Sequence, residues 1–146
     1  MAYQIIQSNT VITKPNTAYG IDISYDHING YKSIYSAAEQ ARVNLKNLIL
    51  TSPGERFYHP MYGCGLMQIL FQPNVNELKL DINTLIMDAI TNWLPYLQVS
   101  SIDIKTTDDD PNLEYLVEIS ISVTFESIEL QPVIVFINEN GILTLK

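Results

Sequence analysis

Along residues 36–50, SAAEQARVNLKNLIL, apolar side chains recur at Ala37, Ala41, Leu45, Leu48 and Ile49. Steps of four and three follow the 3.6-residue repeat and predict a helix with one buried face. Ser36 followed by Glu39 reads as a capping box at its start. Pro53 reads as its stop, because the proline ring disfavours helical geometry at Ser52. The same spacing returns in NVNELKLDINTLIMDAITNWLP, residues 74–95. There Leu78, Ile82, Leu85, Ile86, Ala89 and Trp93 share a face, and Pro95 ends the helix. Between the two, GLMQILFQ predicts two helical turns stopping at Pro73.

After residue 96 the period changes to two. In LEYLVEISISVTF the side chains of Leu113, Tyr115, Val117, Ile119, Ile121, Val123 and Phe125 fall on one side. Polar residues fill the other side, apart from Leu116, so a strand with one buried and one wet face is predicted. LQVSSIDIKTT precedes it across the turn-forming DDDPN. VIVFI and ILTLK flank Asn140-Gly141, a two-residue hairpin signal. Residues 1–35 show neither period for long. Pro15, Gly20 and Gly30 break the pattern, and the tyrosines are scattered, so this stretch reads as an irregular arm lying on the domain or on a neighbour.

The prediction is one α+β domain over residues 1–146. It comprises an N-terminal arm (1–35), a helical part (36–96) and a β part (97–146). Two long helices plus a short one pack on a C-terminal antiparallel sheet of three to four strands.

Composition narrows the function classes. The chain of 146 residues carries a net charge of −8, with 47% apolar and only 16% charged residues. So few charges leave apolar surface that expects a partner. From Asp103 onward there are nine acids against Lys105 and Lys146, and no basic stripe runs through the chain, which argues against nucleic acid. The single cysteine forms no internal disulfide, and the first residues do not read as a secretory signal. No apolar run approaches the roughly 20 residues that span a bilayer. The reading is a soluble protein made in the cytoplasm, with no membrane contact.

Chemistry concentrates in TSPGERFYHPMYGCGL, residues 51–66. His59 and Cys64 lack the further ligands that zinc takes, and as a nucleophile–base pair they lack an orienting group. Glu55 is the only acid there, whereas glycoside hydrolysis uses two carboxylates. Beside Arg56 it is more naturally an ion pair than a raised-pKa acid. The glycines fit neither GxGxxG nor a P-loop. No catalytic residue, cofactor or metal is assigned.

The stretch NLKNLILTSPGERFYHPMYGCGLMQILF resembles the small baseplate wedge proteins of contractile phage tails, a family with relatives in type VI secretion and extracellular injection machines. The family pattern is an apolar helix ending in Leu-Leu-Thr, a Pro/Lys-Gly-Glu-Arg turn, a Pro-x-Phe-Gly step, a Leu and a Leu-Phe. Here these are Ile49, Leu50, Thr51, Pro53, Gly54, Glu55, Arg56, Pro60, Tyr62, Gly63, Leu66, Leu70 and Phe71, with Tyr62 replacing the usual Phe. The T-even member, once labelled lysozyme-like, has Glu-Pro-Arg where this chain has Leu94, Pro95 and Tyr96. That departure weakens any charged docking at this step while keeping the helix stop.

The resemblance implies a non-enzymatic virion protein of the inner baseplate that binds other wedge proteins and the tail sheath protein, near the tube and hub. It implies sheath initiation by strand sharing. The edge is expected over residues 132–146, with Val133, Val135, Ile137, Leu143 and Leu145 facing the sheath. The loop is expected to be rigid, with Glu55 and Arg56 fixing it by hydrogen bonds and Phe57, Tyr58 and Tyr62 packed or presented to a partner. The alternative implied by the old label is a peptidoglycan hydrolase of the tail.

Overall fold

The computed structural model describes residues 17–69, 75–106, 116–138 and 143–145. A hairpin of β1 (Gly20–Asp26) and β2 (Gly30–Ile34) comes first. Helices α1 (Ala37–Leu50), α2 (Leu66–Ile69) and α3 (Val75–Trp93) follow, then strands β3 (Leu97–Lys105), β4 (Leu116–Phe125), β5 (Ile128–Glu129), β6 (Val133–Asn138) and β7 (Leu143–Leu145). The fold is mixed α+β. The main sheet is antiparallel in the order β3-β4-β6-β7, and β5 also pairs with β4.

One core joins the helices to the sheet. Leu45, Leu48 and Ile49 of α1 and Ile82, Ile86 and Ile90 of α3 meet Ile119, Ile121 and Val123 of β4 and Val133, Val135 and Ile137 of β6. The alternation in β4 is therefore real over its described part, with Val117 and Phe125 packed at the margins. In α1 the buried face begins at Ala41 and takes in Val43, while Ala37 is exposed.

Two expectations change. The capping box does not form: Ser36 is extended and makes no side-chain cap. Glu39 instead lies 3.8 Å from Lys32 Nζ with both side chains well exposed, an ion pair of little weight. The helix after the loop is described for one turn only, and residues 70–72 of the predicted two turns lie outside the described residues.

The second change is that residues 20–34 are a hairpin and not an irregular arm. The Asp26 carboxylate accepts the Ile28 N–H at 3.1 Å and the Asn29 side-chain amide at 2.7 Å. Gly30 then takes the left-handed conformation (φ 72°) that closes the turn. Ile21 pairs with Ser33 and Tyr25 with Tyr31. Cross-strand partners share a face, so Ile21, Tyr25 and Tyr31 look outward. Buried Ile34 and the close approach of Gly20 to Gln40 mark the face on α1.

The sheet bends at one level. On β3 an extra residue enters between Val99, opposite Val123, and Ser101, opposite Ser122. On the other side of β4, Glu129 faces Thr124 and Val133 faces Ile121, so three residues stand against two. Both neighbours of β4 thus carry a bulge beside Ser122, and bulges increase local twist. The Arg42 guanidinium donates from Nε to the Gln131 carbonyl at 3.2 Å, with a second nitrogen 3.4 Å from that of Pro132. It satisfies carbonyls that the bulge turns out of the ladder.

Candidate functional site: the loop between the helices

The segment 51–66 has almost no regular structure, yet its backbone is tied at both ends. Thr51 stops α1, donating its N–H and its hydroxyl to the Asn47 carbonyl at 3.1 and 2.6 Å. The Thr51 carbonyl accepts the Cys64 N–H at 2.9 Å, closing the base of the loop. Gly54 N–H reaches the Pro60 carbonyl at 2.7 Å and pins the middle. Gly54 has φ 96° and Gly63 φ 128°, both left-handed. A Cβ at Gly63 would strike the Thr51 carbonyl oxygen, so only glycine passes there.

Glu55 and Arg56 separate. The Glu55 carboxylate turns back and accepts the Ser52 N–H at 3.0 Å, while Glu55 N–H donates to the Ser52 carbonyl. Among the described residues it forms no ion pair with Arg56. The Arg56 guanidinium lies over the Tyr62 ring, 3.7 Å from its centroid. Tyr62 in turn meets Trp93 edge-on at 5.2 Å, and both rings pack against the core. Burial pushes the Tyr62 phenol up, against the pull of Arg56. This stack couples the loop to the end of α3.

The tip is different. Phe57, Tyr58 and Met61 are 90%, 87% and 77% exposed, an apolar cluster raised on a fixed base. Pro53 and Pro60 are also at the surface, while Leu66 is fully buried and anchors the loop's exit. Phe71 lies outside the described residues. Pro95 sits just after α3, where Leu94 N–H still reaches the Ile90 carbonyl. Tyr96 accepts from Asn44 Nδ2 at 2.9 Å.

The residues given to the sheet edge divide. β6 lies between β4 and β7, and Val133, Val135 and Ile137 point into the core. Val135 and Ile137 are paired on both sides and are not edge residues, whereas among the described residues the β6–β7 register stops at Val135 and leaves Val133 beyond it. The edge narrows to β7, which carries Leu143 and Leu145.

The chemical options stay thin. Cys64 is buried, and its thiol is pushed up to about 11 by desolvation, which keeps it protonated and unreactive. Among the described residues no three of His, Cys, Asp and Glu gather to hold a metal. A cleft of about 350 Å³ lies between the loop and α3, lined by Met61, Gly63, Cys64, Gln68, Asp88 and Trp93. Among the described residues Asp88 is its one carboxylate, where glycoside hydrolysis takes two.

Sequence reasoning did not foresee the Arg56–Tyr62–Trp93 stack, which joins two loop residues to Trp93 at the far end of α3. It also missed the outward face of the β1–β2 hairpin, where Ile21, Tyr25 and Tyr31 are exposed. The Asp26…Asn29-Gly30 turn was the available signal.

The family described as Baseplate wedge protein gp25 matches residues 36–129. The match runs from α1 through the loop and α3 to β5, and the β1–β2 hairpin lies outside it. No curated protein sequence matches the chain. Among solved structures, a chain of the anti-feeding prophage baseplate aligns at 22% identity over 70% of this chain and 78% of its own, with a TM-score of 0.59. A suspected tail lysozyme from Geobacter sulfurreducens aligns at 21% over 69% and 87%, TM-score 0.56. A chain of the postcontracted pyocin R2 baseplate aligns at 20% over 73% and 98%, TM-score 0.53. At these identities the likeness is one of fold.

Proposed function

The chain belongs to the Baseplate wedge protein gp25 family, and from that premise we propose that it binds other wedge subunits of a contractile tail and starts the sheath by sharing a strand at β7. The family match over residues 36–129 carries this reading, and it supports a structural role in the baseplate of a virion-type tail. The fixed loop with its exposed Phe57, Tyr58 and Met61 suits a wedge contact, since apolar side chains held on a rigid base dock at low entropic cost. Among the described residues β7 ends the sheet, and an edge strand takes a further strand through backbone hydrogen bonds with little demand on sequence.

The test is removal of residues 143–146 followed by assembly with sheath subunits. Loss of sheath growth from otherwise complete baseplates is expected. Normal polymerisation overturns strand sharing at β7. The likeness to the suspected tail lysozyme keeps peptidoglycan hydrolysis as the second reading. Purified protein is expected to leave peptidoglycan intact, and hydrolysis that disappears in Glu55→Gln reverses the choice.

A further inference from the structure

The main sheet has two ends, and they differ. Among the described residues β3 pairs only with β4, so its other side is a free edge nine residues long. A long free edge is a template for unwanted pairing unless something blunts it. β7 is described over three residues, Leu143–Leu145, with no charge among them.

On β3 the extra residue is Ser100. Leu97 is buried and Val99 half-buried on the core side; after Ser100 and Ser101, both exposed, the core side passes to Ile102 and Ile104. The apolar phase thus slips from odd to even positions, and the bulge absorbs the slip. Ser100 Oγ lies 2.9 Å from Thr124 Oγ1, which holds the bulged residue against β4. Beyond it the edge carries Asp103 and Lys105, with Lys105 Nζ 3.1 Å from Glu118. A bulge at mid-strand breaks the even spacing of outward N–H and C=O groups that an incoming strand must match.

We infer that the Ser100 bulge closes the β3 edge to strand addition, by a second copy of this chain or by a partner strand, and so leaves β7, at the opposite end, as the accepting edge of the main sheet. Acceptance at β7 rests on the strand-sharing reading above. The closure of β3 stands apart from it. A main sheet open at one end seeds growth from that end and does not polymerise through β3.

The geometry supplies an unusually clean test. Deleting Ser100 leaves Leu97, Val99, Ile102 and Ile104 in unbroken alternation and keeps every partner on β4, from Val99↔Val123 to Ser101↔Ser122 and Ile102↔Ile121. The deletion therefore removes the bulge without turning apolar residues outward. Sedimentation velocity on the full chain is compared with that of the deletion, with circular dichroism confirming the fold. The parent is expected to stay monomeric, and the deletion to self-associate with an association constant raised by about tenfold or more. A folded deletion variant as monomeric as the parent overturns the inference.

Asp103→Thr combined with Lys105→Thr keeps the bulge and strips the charges. It is expected to remain monomeric, and its self-association overturns the role of the bulge even if the deletion fails to fold. Sheath assembly with residues 143–146 removed reads only β7, so either side can fail without the other.

Discussion

The loop at 51–66 and the hairpin at 20–34 invert the usual link between regular structure and fixity. The hairpin has a proper ladder and a well-made turn, but it is a two-stranded ribbon resting on α1, with its outer face bare. Isolated hairpins of that kind are marginally stable in water. The loop has no ladder, yet its backbone is clamped by crossing hydrogen bonds, its exit is buried, and a cation–aromatic stack pins its arm to α3. What fixes a segment is the number of independent ties to the core, and the loop has more of them.

The largest break of this contrast comes at Gly63. Gly63→Ala meets both a left-handed backbone and the Thr51 carbonyl, and we expect a loss of about 2–4 kcal/mol in urea unfolding. Gly54→Ala has the strained φ but open space, and about 1 kcal/mol is expected. Equal costs at the two glycines would mean that the clamp at Thr51 is not tight.

Cys64 sharpens the same point through pH. Its thiol stands raised from an ordinary 9 to about 11 by burial. Between those values the unfolded chain releases a proton that the folded chain keeps, so stability falls as pH rises through that window. Cys64→Ala is expected to flatten that part of the pH–stability curve. A thiol reagent at pH 8 is expected to modify Cys64 only as fast as the protein unfolds. Rapid modification without unfolding would show a loop that opens.

Arg56→Lys replaces a flat guanidinium over Tyr62 with a compact ammonium. A loss of about 0.5–1 kcal/mol in stability is expected. A larger effect is expected on co-assembly with wedge partners, because the stack sets the pose of the exposed tip. Assembly equal to the parent's would remove Arg56 from that role.

How far the sequence could be read divides along the same lines. The faces of α1 and α3 and the alternation of β4 were legible, because each depends on a period within one element. Ser36 and Glu39 had the right spacing for a capping box, but spacing does not oblige either side chain to turn inward, and Glu39 went to Lys32. Glu55 and Arg56 were adjacent in sequence and separated in space, since each found a nearer partner in the folded loop. The Tyr62–Trp93 contact joins residues 31 positions apart, 93 minus 62, and no local pattern carries such a pairing. The slip at Ser100-Ser101 breaks the alternation of β3 but was not picked out from the sequence, and its partner bulge at Gln131 and Pro132 needed the register of β4.

The hairpin gives the smallest expected effect and the clearest one. Tyr25 and Tyr31 stack edge-on at 5.2 Å on its outer face, 58% and 60% exposed. Replacing both by Ser removes a cross-strand pair worth about 0.5–1 kcal/mol to the ribbon. Because the ribbon opens without unfolding the core, the global urea midpoint is expected to move by less than about 0.5 kcal/mol in ΔG. Amide exchange separates the two levels: residues 20–34 should lose protection in the double variant, while 45–49 and 119–123 keep theirs. A drop in global stability above about 1.5 kcal/mol would exceed the pair's own worth and mean that the hairpin folds as one unit with α1. In that case the family-matched portion, which starts at residue 36, would depend on a segment outside its own boundary for its stability.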